Sequence, residues 1–311
     1  MKAKQVVALA GGVGGAKLVY GLARALTAGQ LTVVGNVADD FTLYGLHISP
    51  DLDTVMYTLA GIANPETGWG VAGDSWQMLA MLMRYGEEGW FRLGDRDLAT
   101  HLLRTHWLAQ GMSLTEVTAR LAQALGVQQR LLPVTDDPLA TLVETAEYGT
   151  LAFQEYFVRH RWQPVARRVW FEGAETAQMT AAVAQALAEA DLVVICPSNP
   201  VLSIAPILAV GGVREALQGR AGRCVAVSPF IGGQAVKGPA AKLMPELGLD
   251  ISVKGLWRFY EGLIDGLVVD VADAAQLEGE KKSIFLTYTL MKTDEDKVRL
   301  AQEILDWVEK L

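Results

Sequence analysis

Apolar positions along this chain fall into two distinct periods. Residues 5–10 form a short apolar run that ends at Gly11, Gly12, Gly14 and Gly15. A run of that length bounded by turn residues suits a strand buried on both faces of a parallel sheet. From Ala16 to Ala28 the residues Leu18, Val19, Leu22, Ala25 and Leu26 recur at helical spacing, and Gly29 stops the pattern. A second apolar run follows at Leu31 to Gly35. Strand, glycine turn, helix and strand within about 30 residues predict a βαβ unit opening a doubly wound sheet.

Residues 51–126 read as mostly helical, with helices predicted over Asp74 to Tyr85, Asp97 to Gln110 and Ser113 to Leu125. Ser113 and Thr115 stand where caps belong, and Gly86, Gly111 and Gly126 stand where helices stop. This stretch is expected to lie over the sheet edge as an insertion. Strand signals return at Leu131 to Val134, Leu151 to Val158 and Arg168 to Phe171. An alanine-rich helix is predicted over Ala177 to Glu189, followed by buried strands at Leu192 to Cys196 and Cys224 to Val227. Leu267 to Val271 and Ile284 to Leu286 read as further strands. Asp294 to Leu311 is an amphipathic helix with Val298, Ala301, Ile304, Leu305 and Val308 on one face. The pattern has no internal repeat and no low-complexity linker. It predicts an α/β, Rossmann-like, doubly wound and mostly parallel sheet, in a single domain over 1–311 with a mainly helical insertion at about 51–126.

Composition narrows the function classes. Hydrophobic residues make up 51% of the 311, enough for a full-sized core. The net charge of −8 argues against a general nucleic-acid coat. The two cysteines, Cys196 and Cys224, form no C-x-x-C pair, which suits a reducing cytoplasm. The apolar run at residues 5–10 is too short for a signal peptide and ends in glycines. No stretch of about 18 apolar residues predicts a membrane span.

Four segments carry candidate chemistry. Gly11-Gly12-Val13-Gly14-Gly15-Ala16-Lys17 lies between strand and helix, where free N–H groups and the helix dipole attract phosphate. It is neither a P-loop, because Leu18 follows Lys17, nor a G-x-G-x-x-G dinucleotide loop, which counts against a nicotinamide enzyme. Its structural alternative is a tight turn. The second segment is acidic: Asn36-Val37-Ala38-Asp39-Asp40 after the second strand, then Pro50-Asp51-Leu52-Asp53-Thr54. Carboxylates at strand ends suit Mg²⁺ beside a phosphate, and helix capping is the competing role. The third is Arg92-Leu93-Gly94-Asp95-Arg96-Asp97 with His101, a polar ligand loop or a self-neutralising cap. The histidines His101 and His106 are spaced too widely for a two-histidine metal face. The fourth is the pair of loops Pro197 to Pro200 and Ser228 to Gly233, whose Ser198, Asn199 and Ser228 could bond a base or ribose. Lys237 and Lys242 could touch phosphate or lie solvated at the surface.

Together, G-G-V-G-G-A-K, N-V-A-D-D, S-P-D-L-D-T-V-M-Y-T-L, the G-W-G at Gly68 to Gly70, L-G-D-R-D-L-A-T-H, P-S-N-P-V-L-S-I and S-P-F-I-G-G resemble the 2-phospho-L-lactate transferase family, from about residue 5 to about residue 292. The resemblance implies a Rossmann-like transferase of deazaflavin coenzyme F-420 biosynthesis, often a dimer and dependent on Mg²⁺. Such an enzyme passes a phospho-three-carbon acid from its guanosine diphosphate-activated form to the ribityl hydroxyl of the deazaflavin Fo. On the same resemblance, Gly11, Gly12, Gly14, Gly15 and Lys17 match the phosphate loop, with Asn36 beside the acidic motif. Asp40 and Asp53 match the positions that hold Mg²⁺ and approach Fo, and carry the catalytic role. Arg92 or Arg96 matches an Fo-binding region, while Ser198, Asn199, Ser228 and Gly232 match the guanosine side. A related branch of the superfamily contains regulators that bind UDP-sugars. The P-D-L-D-T segment is the transferase-like version.

Overall fold

The computed structural model describes residues 5–235, 238–277 and 283–311. In chain order its first half holds β1 (Val6–Ala10), α1 (Gly12–Ala25), β2 (Leu31–Gly35), β3 (Phe41–Leu43), β4 (Leu46–Ile48), α2 (Pro50–Leu59), α3 (Gln77–Arg84), α4 (Asp95–Ala109), α5 (Leu114–Ala124), β5 (Arg130–Pro133), β6 (Ala140–Thr145), β7 (Gly149–Ala152) and β8 (Ala166–Glu172). The second half adds α6 (Ala181–Glu189), β9 (Leu192–Ile195), α7 (Ala205–Ala209), α8 (Val213–Gly219), β10 (Arg223–Val227), β11 (Phe230–Ile231), β12 (Gln234–Ala235), α9 (Ala240–Glu246), α10 (Val253–Phe259), β13 (Gly266–Asp270), β14 (Ile284–Thr287) and α11 (Asp294–Val308).

A seven-stranded sheet runs in the order β14, β13, β10, β9, β1, β2, β5, and every neighbouring pair is parallel. The unbroken apolar runs explain its centre. Every residue of β1, β2 and β9 is buried, as a parallel strand covered on both faces requires. From β1 the chain moves outward to β2 and β5, then returns to the other side of β1 through β9. The direction of winding therefore reverses between β1 and β9, which is where doubly wound sheets open a ligand crevice. α1 packs against α2 and α11, and α5 packs on the edge strand β5.

Several boundaries differ from the sequence reading, each for a local reason. α1 begins at Gly12 rather than Ala16, so the glycine loop is itself the first helical turn. The stretch Leu151 to Val158 is strand only as far as Ala152, then winds into a single π-helical turn at Glu155–Arg159. The hairpin of β3 and β4 went unread; Tyr44 and Gly45 form its turn, both at positive φ. So did β6, the middle strand of a three-stranded antiparallel sheet with β7 and β8. Ser113 does cap α5, in a capping box with Glu116. Among the described residues no helix is long and apolar enough to cross a membrane.

Candidate active site

The carboxyl ends of β1, β2 and β9 open into a cavity of about 820 Å³. One side is the glycine loop. Gly11 N–H donates to Ser198 Oγ at 3.2 Å, and Ser198 Oγ donates to the Gly11 carbonyl at 2.8 Å. These bonds tie the loop after β1 to the loop after β9. Gly14 is required by contact, because a Cβ there would lie 2.4 Å from the Pro197 carbonyl oxygen. Gly12 sits at φ +62 and gives its N–H to Asp51 Oδ1 at 2.7 Å. The N-terminus of α1 thus holds a carboxylate where a phosphate would also be favoured.

The floor is acidic. Asp39, Asp51, Asp53 and Asp97 all reach the cavity wall. Burial, then the neighbouring Asp51 charge, raises Asp39 well above the ordinary carboxylate range, against a hydrogen bond from Thr141. Burial likewise pushes Asp51 up to about 6, although Asn36 Nδ2 donates to it at 3.0 Å. Asp53 is neutralised differently: Arg104 reaches from α4 and grips both its oxygens, Nη1 to Oδ2 at 3.0 Å and Nη2 to Oδ1. Burial acts to raise Asp97 as well, but the adjacent His101 ring and the Tyr57 hydroxyl hold it below the ordinary range.

Helix capping frees Asp97 for this wall. Asp95 accepts the N–H groups of Gln77 and Met78 at the start of α3, each at 3.0 Å. Asp74 in turn accepts those of Arg96 and Asp97 at the start of α4, at 2.8 and 3.1 Å. The two loops cap each other's helix. The Asp97 side chain is left to meet Tyr57 Oη at 2.7 Å.

Aromatic rings close the remaining side. Phe153, Phe157 and Trp162 lie with successive centroids 5.2 and 5.1 Å apart, and Trp90 meets Phe91 edge-on at 5.7 Å. Such faces suit a planar ring system.

Of the residues singled out by sequence, the cavity wall brings together Gly11, Gly12, Gly14, Lys17, Asp53, Arg92, Ser198, Asn199 and Ser228. Five stand behind it. A Cβ on Gly15 would press on Ser198 Oγ, Asn36 props Asp51, and Gly232 N–H is held by Asp273 at 3.0 Å. Arg96 donates to the Ala72 carbonyl at 3.1 Å. Asp40 accepts from Ser49 Oγ at 2.6 Å and pairs with His47 Nε2 at 3.0 Å, while its Oδ1 is buried with no partner among the described residues. On the wall itself, Arg92 stacks over Trp76, and the Asn199 side chain is spent capping the turn at Pro200–Ile204. Lys242 is paired with Glu246, and Lys237 lies outside the described residues.

The sequence reading named His101 with the third segment without giving it a role of its own, and missed Tyr57 and Arg104 as site residues. A signal for Arg104 was available, because Asp97, His101 and Arg104 follow one another at helical spacing on α4. The aromatic wall had no such signal, since Phe157 lies inside the single π-helical turn and Trp162 just beyond it.

The 2-phospho-L-lactate transferase CofD family model matches residues 6–305. A phosphoenolpyruvate transferase of Kitasatospora aureofaciens is 46% identical over 275 residues, 86% of each chain. A 2-phospho-L-lactate transferase of Methanopyrus kandleri is 41% identical, covering 99% of this chain and 98% of its own. That of Methanocaldococcus jannaschii is 37% identical over 97% of both. A solved UPF0052 family protein of Bacillus halodurans shares the fold at TM-score 0.66 and 15% identity, over 98% of this chain and 99% of that one. With a family match spanning nearly the whole chain, the protein belongs to the 2-phospho-L-lactate transferase CofD family.

Proposed function

We propose that this protein transfers 2-phospho-L-lactate or phosphoenolpyruvate from its guanosine diphosphate-activated form to the ribityl hydroxyl of Fo, releasing GMP, in coenzyme F-420 biosynthesis. One observation carries the reading: a single cavity joins glycine-loop amides, a carboxylate floor and an aromatic wall. Those three surfaces complement a diphosphate, a polyol and a planar ring. In the proposed step the hydroxyl oxygen bonds to the phosphorus bearing the acid, the bond from that phosphorus to GMP breaks, and GMP leaves with the electron pair. The hydroxyl proton passes to a carboxylate of the floor. Positioning of the two substrates is the protein's main contribution.

The carboxylate floor also fits Mg²⁺. Oxygen donors suit this hard cation, and the raised Asp39 and Asp51 and the partnerless Asp40 Oδ1 are buried oxygens short of positive charge. Asp40 and Asp53 would hold the ion together with Asp39 or Asp51, and Arg104 would share Asp53. Bound there, Mg²⁺ would offset charge on the diphosphate. A cytoplasmic homodimer completes the proposal, in keeping with two buried free cysteines. Sedimentation of the purified protein tests the dimer.

The deciding experiment mixes the protein with Fo, Mg²⁺ and each guanosine-activated acid in turn, and follows Fo by fluorescence and chromatography. A phospho-acid product of Fo with release of GMP supports the proposal and names the donor. Absence of turnover with every donor overturns it.

A further inference from the structure

His101 is buried to 2% exposure, yet it lines the cavity and its Nε2 has no well-formed hydrogen bond among the described residues. Its protonation is dictated by Arg104. Arg104 Nη1 lies 3.2 Å from His101 Nδ1, and a guanidinium only donates. Nδ1 must therefore be the acceptor, and neutral His101 carries its proton on Nε2. In that form His101 would not serve as a metal ligand beside Asp53 and Asp97, although ligand atoms of the three lie within 4.8 Å of one another. An Nε2 that bears hydrogen offers no lone pair.

Beside this donor stands an acceptor. Asp97 Oδ1 is 3.3 Å from His101 Nε2, off the line of a good hydrogen bond, and takes the Tyr57 hydroxyl at 2.7 Å. Among the described residues these two contacts fall on Oδ1, and Asp97 lines the cavity, so a ligand would be met by Oδ2. An N–H donor and a carboxylate acceptor side by side do not suit an anion, which Asp97 would repel. They suit a hydroxyl, which gives one proton and accepts another. A buried polar pair of this kind discriminates strongly, because a ligand lacking the hydroxyl leaves both groups unpaired.

We propose that His101 and Asp97 form a hydroxyl-binding subsite that seats the polyol chain of the acceptor, with Arg104 as the positioning residue that fixes His101 as a donor. The proposal rests on Fo being the acceptor and adds which residues hold its ribityl hydroxyls.

The test compares His101→Asn with His101→Gln. Asn keeps a group facing Arg104 but has nothing at the Nε2 position; Gln extends its amide N–H to about that place. The readouts are the Kd for Fo by its fluorescence, KM for Fo and KM for the guanosine-activated donor. His101→Asn is expected to weaken Fo 10- to 100-fold in Kd and kcat/KM, roughly the loss that a misplaced substrate brings, with the donor KM unchanged. His101→Gln is expected to recover most of that loss. Fo binding by His101→Asn equal to wild type overturns the subsite, as does an equal loss for both substrates with a lowered unfolding temperature. If the wild type binds Fo without turning over, the transfer activity fails while the Kd comparison still decides the subsite. If the wild type does not bind Fo, both fall.

Discussion

Arg104 and Asp53 form a two-pronged ion pair that is almost sealed from water, with side chains 1% and 6% exposed. The pair ties α4 to the N-terminal turn of α2. Two charges this deep are held by each other, so removing one strands its partner. Arg104→Met should destabilise the protein by about 3–5 kcal/mol, measured by chemical denaturation. Arg104→Lys, which keeps the charge but loses the fork, should cost less. Equal stability of Arg104→Met and wild type would show that the pair adds nothing.

Asp53→Asn probes the same pair from the site side. It removes a carboxylate from the floor and leaves Arg104 as an excess positive charge beneath the substrates. Turnover should fall by about 10²–10³-fold, the usual effect of losing one charge-stabilising group. Intact turnover at ordinary Mg²⁺ would remove Asp53 from the mechanism.

Metal binding should depend on pH with a definite sign. Burial holds Asp51 at about 6, above its ordinary value, and Asp39 is raised as well. Mg²⁺ held by Asp51 needs that group ionised. Its apparent affinity should therefore be constant above that pH and weaken about tenfold per unit as pH falls below about 6. Calorimetric titration of Mg²⁺ at several pH values measures this. Affinity that is flat down to pH 5 would place the ion away from Asp51.

Gly14 marks the closest approach of two backbones in the site. A methyl group at position 14 would lie 2.4 Å from the Pro197 carbonyl oxygen, a backbone atom that cannot swing aside. Gly14→Ala should cost about 1–3 kcal/mol and weaken GDP binding, because the loops after β1 and β9 must separate. Thermal unfolding with and without GDP reads both effects.

Ligand-induced stabilisation separates the transferase from a nucleotide-sugar regulator. GDP and Fo should each raise the unfolding temperature, since a ligand that binds only the folded state stabilises it. A rise with UDP-N-acetylglucosamine, and none with GDP or Fo, would favour the regulator.

Local pattern was enough for the frame of this protein. The strands at Val6–Ala10, Leu31–Gly35 and Leu192–Ile195 are unbroken apolar runs, and only a buried parallel strand satisfies such a run. The glycine loop and the two acidic motifs were legible for the same reason: each is contiguous, and each follows a strand. Contiguity does not tell which neighbours each acid meets. Asp40 turns to Ser49 and His47 while Asp53 turns to Arg104. Asp95 and Asp97 look alike, yet one caps α3 and the other faces the cavity.

Those assignments belong to the tertiary structure. Arg104 is 51 residues from Asp53, and Ser198 is 187 from Gly11. No short-range rule relates residues so far apart. Their pairing is decided by where the sheet reverses its winding and by how α4, packed on β4 and α5, is turned to send Arg104 to Asp53. The protonation of each carboxylate follows from that packing, because burial and the nearest charge set it, and neither is a property of the residue alone.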